Sequence, residues 1–130
     1  MQAAKAGPDY IDPAFHQAAS GRQSFNLDSW AMTPALINSL VSRSTAGADL
    51  LVIEGVMGLF DGIPGPKRRT GASADLAAQL ELPVLLVVDV SGQSQSAAAL
   101  VRGFLDHDPE VRIGGIVLNR VGTERDRKST

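Results

Sequence analysis

Cysteine is absent from the 130 residues, which excludes disulfides and thiolate metal sites and suits a reducing compartment. Aromatic residues make up only 5%, so a core must be built from Ala, Val, Leu and Ile. Neither sign of charge is in large excess. The net charge of −2 offers no basic surface of the kind that nucleic acid requires. Long hydrophobic runs are missing as well. The longest, Pro83–Val88, is far shorter than the roughly 20 residues of a membrane span. Met1–Pro8 shows no charged segment followed by an apolar one, so no signal peptide is visible and the cytoplasm is the expected compartment. The lysines are Lys5, Lys67 and Lys128, and none follows a glycine. Gly-Lys-Ser and Gly-Lys-Thr therefore do not occur, and the phosphate-cradling P-loop is absent from this chain.

What is present is an apolar fraction of 44%, enough for one packed domain. Asp49–Ile53, Pro83–Val88 and Gly115–Leu118 are short runs of Val, Leu and Ile without polar alternation. Such runs read as strands buried on both faces of a parallel sheet, and Gln2–Lys5 reads as the stub of another. Between them lie helical segments. Thr33–Pro34 opens one, with Thr as the cap and Pro in the first turn. Its apolar positions Leu36, Ile37, Leu40 and Val41 keep helical spacing, and Gly47 is its expected stop. Others are expected over Ser73–Leu80 and Ser94–Leu105. The alternation predicts an α/β fold, a parallel sheet with flanking helices. Gly122–Thr130 reads as a loop or the first turn of a further helix. The abrupt ends imply a piece of a larger protein, with terminal fraying as the plain alternative. Unpaired strand edges would then favour self-association, including a homo-oligomer, or poor stability.

Ligands of open parallel sheets bind beyond the carboxyl ends of the strands. Those ends carry Lys5 to Asp12, Glu54 to Gly62, Asp89 to Ser94, and Asn119–Arg120. Asp9, Asp12, Glu54, Asp61 and Asp89 would then collect on one edge. Like charges gathered in this way repel, and a hard cation such as Mg²⁺, accompanied by phosphates, relieves the repulsion. Plainer readings exist for each. Asp12 before Pro13 is a good helix start, the glycines permit turns, and Asp89 is a common turn residue. Lys67, Arg68 and Arg69 in the loop Gly62–Gly71 read as a solvated surface or as a clamp for acidic groups. His16, on a short predicted helix, and His107 show no metal-ligand spacing, and an ordinary surface role is expected for His16.

Lys-Ala-Gly-Pro-Asp-Tyr-Ile-Asp-Pro-Ala-Phe-His (Lys5–His16) and Glu-Gly-Val-Met-Gly-Leu-Phe-Asp-Gly (Glu54–Gly62) resemble two successive blocks of the cobyrinic or hydrogenobyrinic acid a,c-diamide synthases. Gly71-Ala-Ser-Ala-Asp-Leu-Ala77, Val87–Ser94 and Val117–Gly122 are similar to later blocks, in the same order. The wider relative is dethiobiotin synthetase, of the P-loop NTPase type. The resemblance implies ATP- and Mg²⁺-dependent phosphorylation of corrinoid carboxylates, followed by amidation with glutamine-derived ammonia. It implies Asp12 and Glu54 at the metal, and Asp9, Tyr10 and Asp61 around the reacting carboxylate. Asn119 and Arg120 would approach the adenine, and Lys5 the phosphates. The chain departs from the pattern in three places. The first strand with its P-loop and the glutaminase domain are missing, and Ala72 stands where a hydroxyl residue is usual. The expectation is a partial synthetase domain over residues 1–130, inactive alone, with the P-loop segment and glutaminase domain as its missing partners. Rival readings are a dethiobiotin-synthetase-like carboxylate-activating ligase and a degenerate, non-catalytic domain.

Overall fold

The computed structural model describes residues 1–122, so the reading of Gly122–Thr130 lies almost wholly outside the described residues. The element order is β1 (Gln2–Ala6), α1 (Asp12–Ser20), β2 (Asn26–Leu27), α2 (Pro34–Ser44), β3 (Leu51–Glu54), α3 (Ser73–Gln79), β4 (Val84–Asp89), α4 (Ser96–His107) and β5 (Ile113–Asn119). Every strand pairing among the described residues is parallel, and the α/β expectation is met. The strands form two sheets, ordered β2-β1-β3 and β4-β5. The chain divides into two compact units, Met1–Leu80 and the remainder from Glu81 onward.

In the first unit β1 lies between its two neighbours and is buried along its whole length. Side chains alternate across a strand. Ala4 and Ala6 therefore share one face and join the core with Leu27 of β2, Ile37 of α2 and Leu76 of α3. Lys5 points to the other face, where α1 lies. Thr33 caps α2 as the sequence predicts: its hydroxyl accepts the Leu36 N–H at 3.2 Å, and Pro34 takes the first turn. The helix ends at Ser44, three residues before Gly47. Arg22 satisfies the carbonyls left at that end, donating to Ser44 O at 3.0 Å and Ala46 O at 2.9 Å. Val41 O accepts from the Thr45 N–H at 3.0 Å and the Thr45 hydroxyl at 2.8 Å.

Only β1 matches the expectation of strands buried on both faces. In β4 the burial alternates: Leu86 and Val88 are buried, while Leu85 and Val87 are exposed. The continuous apolar run there reflects two apolar faces, of which the described residues bury one. The strand β2 is a pair of residues, too short to leave a periodic signal.

Candidate functional site

Three local choices place a charged cluster at the carboxyl ends of β1 and β3. First, β1 and β3 pair in register with Lys5 opposite Glu54. Second, the chain leaves β1 through Gly7, whose φ of 78° is one that residues with a Cβ adopt only under strain. Third, Asp9 nucleates the turn into α1: its carboxylate accepts the Ile11 N–H at 2.8 Å and lies 3.4 Å from the Asp12 nitrogen. This Asx turn starts the helix. The N-cap of α1 is Ile11, which has no side-chain cap, so Asp12 does not make the capping bond that the sequence offers it and is left for another partner.

That partner is Lys5. Its ammonium is buried and donates to Gly55 O at 2.8 Å; it lies 3.1 Å from Asp12 Oδ2 and 3.6 Å from Glu54 Oε1. A lysine so buried requires such partners. His16 follows Asp12 by four residues and therefore shares its helix face. Its Nε2 lies 2.6 Å from Glu54 Oε2. Lys5, Asp9 and Glu54 line an open pocket of about 360 Å³ together with Ala6, Pro8, Gly55, Val56 and Met57. The Ile11 N–H is the main reason that the Asp9 carboxyl sits below the ordinary aspartate range.

The five carboxylates expected on one edge divide between the two units. Asp9, Asp12 and Glu54 meet around Lys5. Asp89 ends β4, a strand of the other sheet, and its Oδ2 lies 3.1 Å from Arg120 Nη1. Asp89 is also held below the ordinary aspartate range, first by the Ser91 hydroxyl and backbone N–H and then by Arg120. Mutual repulsion is not left for a metal alone to relieve, because the Lys5 ammonium already faces Asp12 and Glu54. Among the described residues no group of three or more His, Cys, Asp or Glu gathers as a metal site.

Tyr10 and Asp61 are not among that pocket's lining residues. Tyr10 is 84% exposed. Asp61 folds back on its own loop, where a Cβ on Gly58 would overlap its carboxylate. Asn119 and Arg120 belong to the second unit. There Asn119 O accepts the Val90 N–H at 3.0 Å and its side chain accepts the Arg120 N–H at 3.0 Å.

The loop Gly62–Gly71 is tied down at its base. Ile63 N–H donates to Thr70 O at 2.9 Å. Arg69 donates to Ser29 O at 2.6 Å and to Trp30 O at 2.9 Å. It acts as a brace rather than as a free cation or an anion clamp. Buried Asp75 accepts from the Ser29 hydroxyl, the Thr70 hydroxyl and the Thr70 N–H at 2.7–2.9 Å. Sequence reasoning missed this knot, and it also missed His16. The four-residue spacing from Asp12 to His16 was the available signal.

Residues 10–130 match the family model described as an AAA domain. The chain belongs to that family. Proteins named hydrogenobyrinate a,c-diamide synthase are similar to it over nearly its whole length. One from Mesorhizobium japonicum is 57% identical over 98% of this chain and 29% of its own. One from Agrobacterium fabrum is 58% identical over 95% of this chain and 28% of its own. One from Brucella anthropi is 62% identical over 93% of this chain and 27% of its own. The AAA-domain chain thus spans less than a third of the length of these curated relatives. No solved structure matches it. Among the described residues, no helix is long and apolar enough to cross a membrane.

Proposed function

We propose that this chain is the nucleotide-dependent synthetase portion of a hydrogenobyrinate a,c-diamide synthase and that it works in the cytoplasm within a longer protein. The observation that carries the reading is 57% identity over 98% of the chain to a relative of that name. The name shared by the relatives favours hydrogenobyrinate over cobyrinate as the acid. It also favours a corrinoid over the diaminononanoate of a dethiobiotin-type ligase.

In this reading a carboxylate oxygen of the corrinoid attacks the γ-phosphorus of ATP, and the bond to the ADP oxygen breaks. Ammonia, released from glutamine elsewhere in the longer protein, then attacks the acyl carbon. Phosphate leaves with the former carboxylate oxygen, and an amide remains. Hard oxygen donors suit Mg²⁺, which commonly takes one or two carboxylates and completes its shell with phosphate and water. Asp12 and Glu54 converge on one cation, Lys5 Nζ, and fit that requirement as the residues that would hold it. Mg²⁺ there would neutralise charge on the transferring phosphoryl group.

Lys5 has the further role of facing the phosphates, and the open pocket beside it gives them room. Asp9, Tyr10 and Asp61 are assigned to the reacting carboxylate, and Asn119 and Arg120 to the adenine. The chain contains no Gly-Lys-Ser or Gly-Lys-Thr, so the phosphate cradle must come from outside these residues. The 130 residues alone are therefore expected not to turn over ATP.

The test supplies the full-length protein that contains this segment with hydrogenobyrinate, glutamine and Mg-ATP. Mass spectrometry should detect the a,c-diamide. Amidation of neither acetate would overturn the reading in favour of a degenerate domain. Activity confined to a diaminononanoate-type substrate would overturn it in favour of the dethiobiotin-type ligase.

A further inference from the structure

His16 is the side chain nearest the proposed metal carboxylates that has no assigned task. It is half-buried, on the face of α1 that looks onto β1 and β3. Its Nε2 is 2.6 Å from Glu54 Oε2. A carboxylate only accepts, so Nε2 carries the proton and donates it. On the far side of the ring, Nδ1 lies 3.5 Å from the Ser24 hydroxyl. Ser24 is buried, and its hydroxyl is tied to Ala3 O of β1 at 3.1 Å. The single proton of that hydroxyl is donated to Ala3 O, so the bond that fixes the imidazole is the one to Glu54 at the end of β3.

Glu54 needs such a brace. Its side chain is half exposed, and a glutamate at a strand end has three rotatable bonds. Lys5 does not orient it, because its contact to Oε1 is 3.6 Å and its shorter bonds go to Gly55 O and Asp12. The two oxygens of Glu54 therefore have different surroundings. Oε2 is taken by His16, while Oε1 faces the side shared with Lys5 and Asp12.

We propose that His16 is a positioning residue that holds Glu54 by Oε2 and presents Oε1 toward the cation shared with Asp12. This rests on the reading of Glu54 as a metal carboxylate. Groups that orient a ligand from behind typically change metal affinity by 10- to 100-fold when removed. His16→Leu removes the N–H with little change in bulk, and His16→Gln keeps a donor on a flexible stem.

The experiment uses the full-length protein that contains this segment and follows Mn²⁺ binding in the presence of ATP by electron paramagnetic resonance. The Mg²⁺ activation constant is measured in parallel. His16→Leu should weaken Mn²⁺ binding and raise the Mg²⁺ requirement by about tenfold, with kcat at saturating metal much less affected. His16→Gln should recover most of the affinity. Glu54→Gln serves as the reference and should lose more than His16→Leu. If Glu54→Gln weakens binding while folded His16→Leu binds as the wild type does, the positioning role is overturned and the Glu54 assignment survives. If Glu54→Gln binds normally, the Glu54 assignment falls, and the role of His16 with it. Should His16→Leu fail to fold, His16→Ala carries the test. It also removes the N–H that reaches Glu54 and should weaken binding in the same direction, and wild-type binding there overturns the proposal.

Discussion

Lys5 is the residue on which the cluster turns. It is placed opposite Glu54 by strand register, and it faces away from the core because Ala4 and Ala6 take the other side. Lys5→Met should leave Asp12 and Glu54 without their counter-ion and Gly55 O without its donor. Because both carboxylates are partly exposed, the expected loss is about 2 kcal/mol, less than for a fully buried pair. Urea denaturation of the variant against the parent measures it, and an unchanged midpoint would contradict the buried-cation account. Asp9 gives a pH prediction. The Ile11 N–H lowers its carboxyl below the ordinary range, so the folded chain holds this proton less readily than the unfolded one. Its contribution is complete above the ordinary aspartate value of about 4 and is lost as pH falls through the lower folded value. A carboxyl-carbon NMR titration should place Asp9 below the ordinary aspartate value. A value in the ordinary range would show that the Asx turn is not formed.

Among the elements, α2 was the most legible, because Thr33, Pro34 and the spacing of Leu36, Ile37, Leu40 and Val41 all point the same way. Its expected stop is close to the observed one: the C-cap is Thr45, and Gly47 takes the left-handed backbone (φ 67°) two residues on, where Arg22 donates to Ser44 O and Ala46 O. The two-residue β2 was illegible, since a register of Lys5 with Asn26 and Ala6 with Leu27 leaves no pattern to read. The short helix α3 connects a sequence oddity to structure. Ala72 sits at its N-cap with the extended backbone of a cap (φ −69°, ψ 148°) and no side-chain hydrogen bond. It is also the position where the resemblance expects a hydroxyl. The N–H groups that a cap would accept from already have partners, Ala74 with Leu59 O and Asp75 with Ala72 O, so Ala72→Ser should shift the denaturation midpoint by no more than about 0.5 kcal/mol. A destabilised variant would show that the buried site has no room for the hydroxyl.

For the whole molecule, the parallel α/β class was legible from the chain order, while the joining of strands into sheets was not. Sheet order depends on which edges meet, and apolar runs do not encode that. Of the candidate site, Lys5, Asp12 and Glu54 do converge. Asp89 is a strand end of the second sheet, where Arg120 holds it. The bare faces have a consequence in solution. Leu50, Val52, Leu85 and Val87 are exposed at 44–65%, and unpaired strand edges template association. The isolated chain should therefore self-associate, homo-oligomers included. Sedimentation velocity over a concentration series should show species larger than 13.6 kDa. A monomer throughout the range would contradict this.

The central claim is that the carboxylate cluster serves ATP-dependent activation of a corrinoid acid. It is tested most directly by following oxygen from the substrate. Full-length protein containing this segment is given hydrogenobyrinate labelled with ¹⁸O in its carboxylates, together with glutamine and Mg-ATP, and the released inorganic phosphate is analysed by mass spectrometry. The account predicts one labelled oxygen in phosphate for each amide formed, a transfer that Glu54→Gln suppresses. Amide formation with unlabelled phosphate would contradict it.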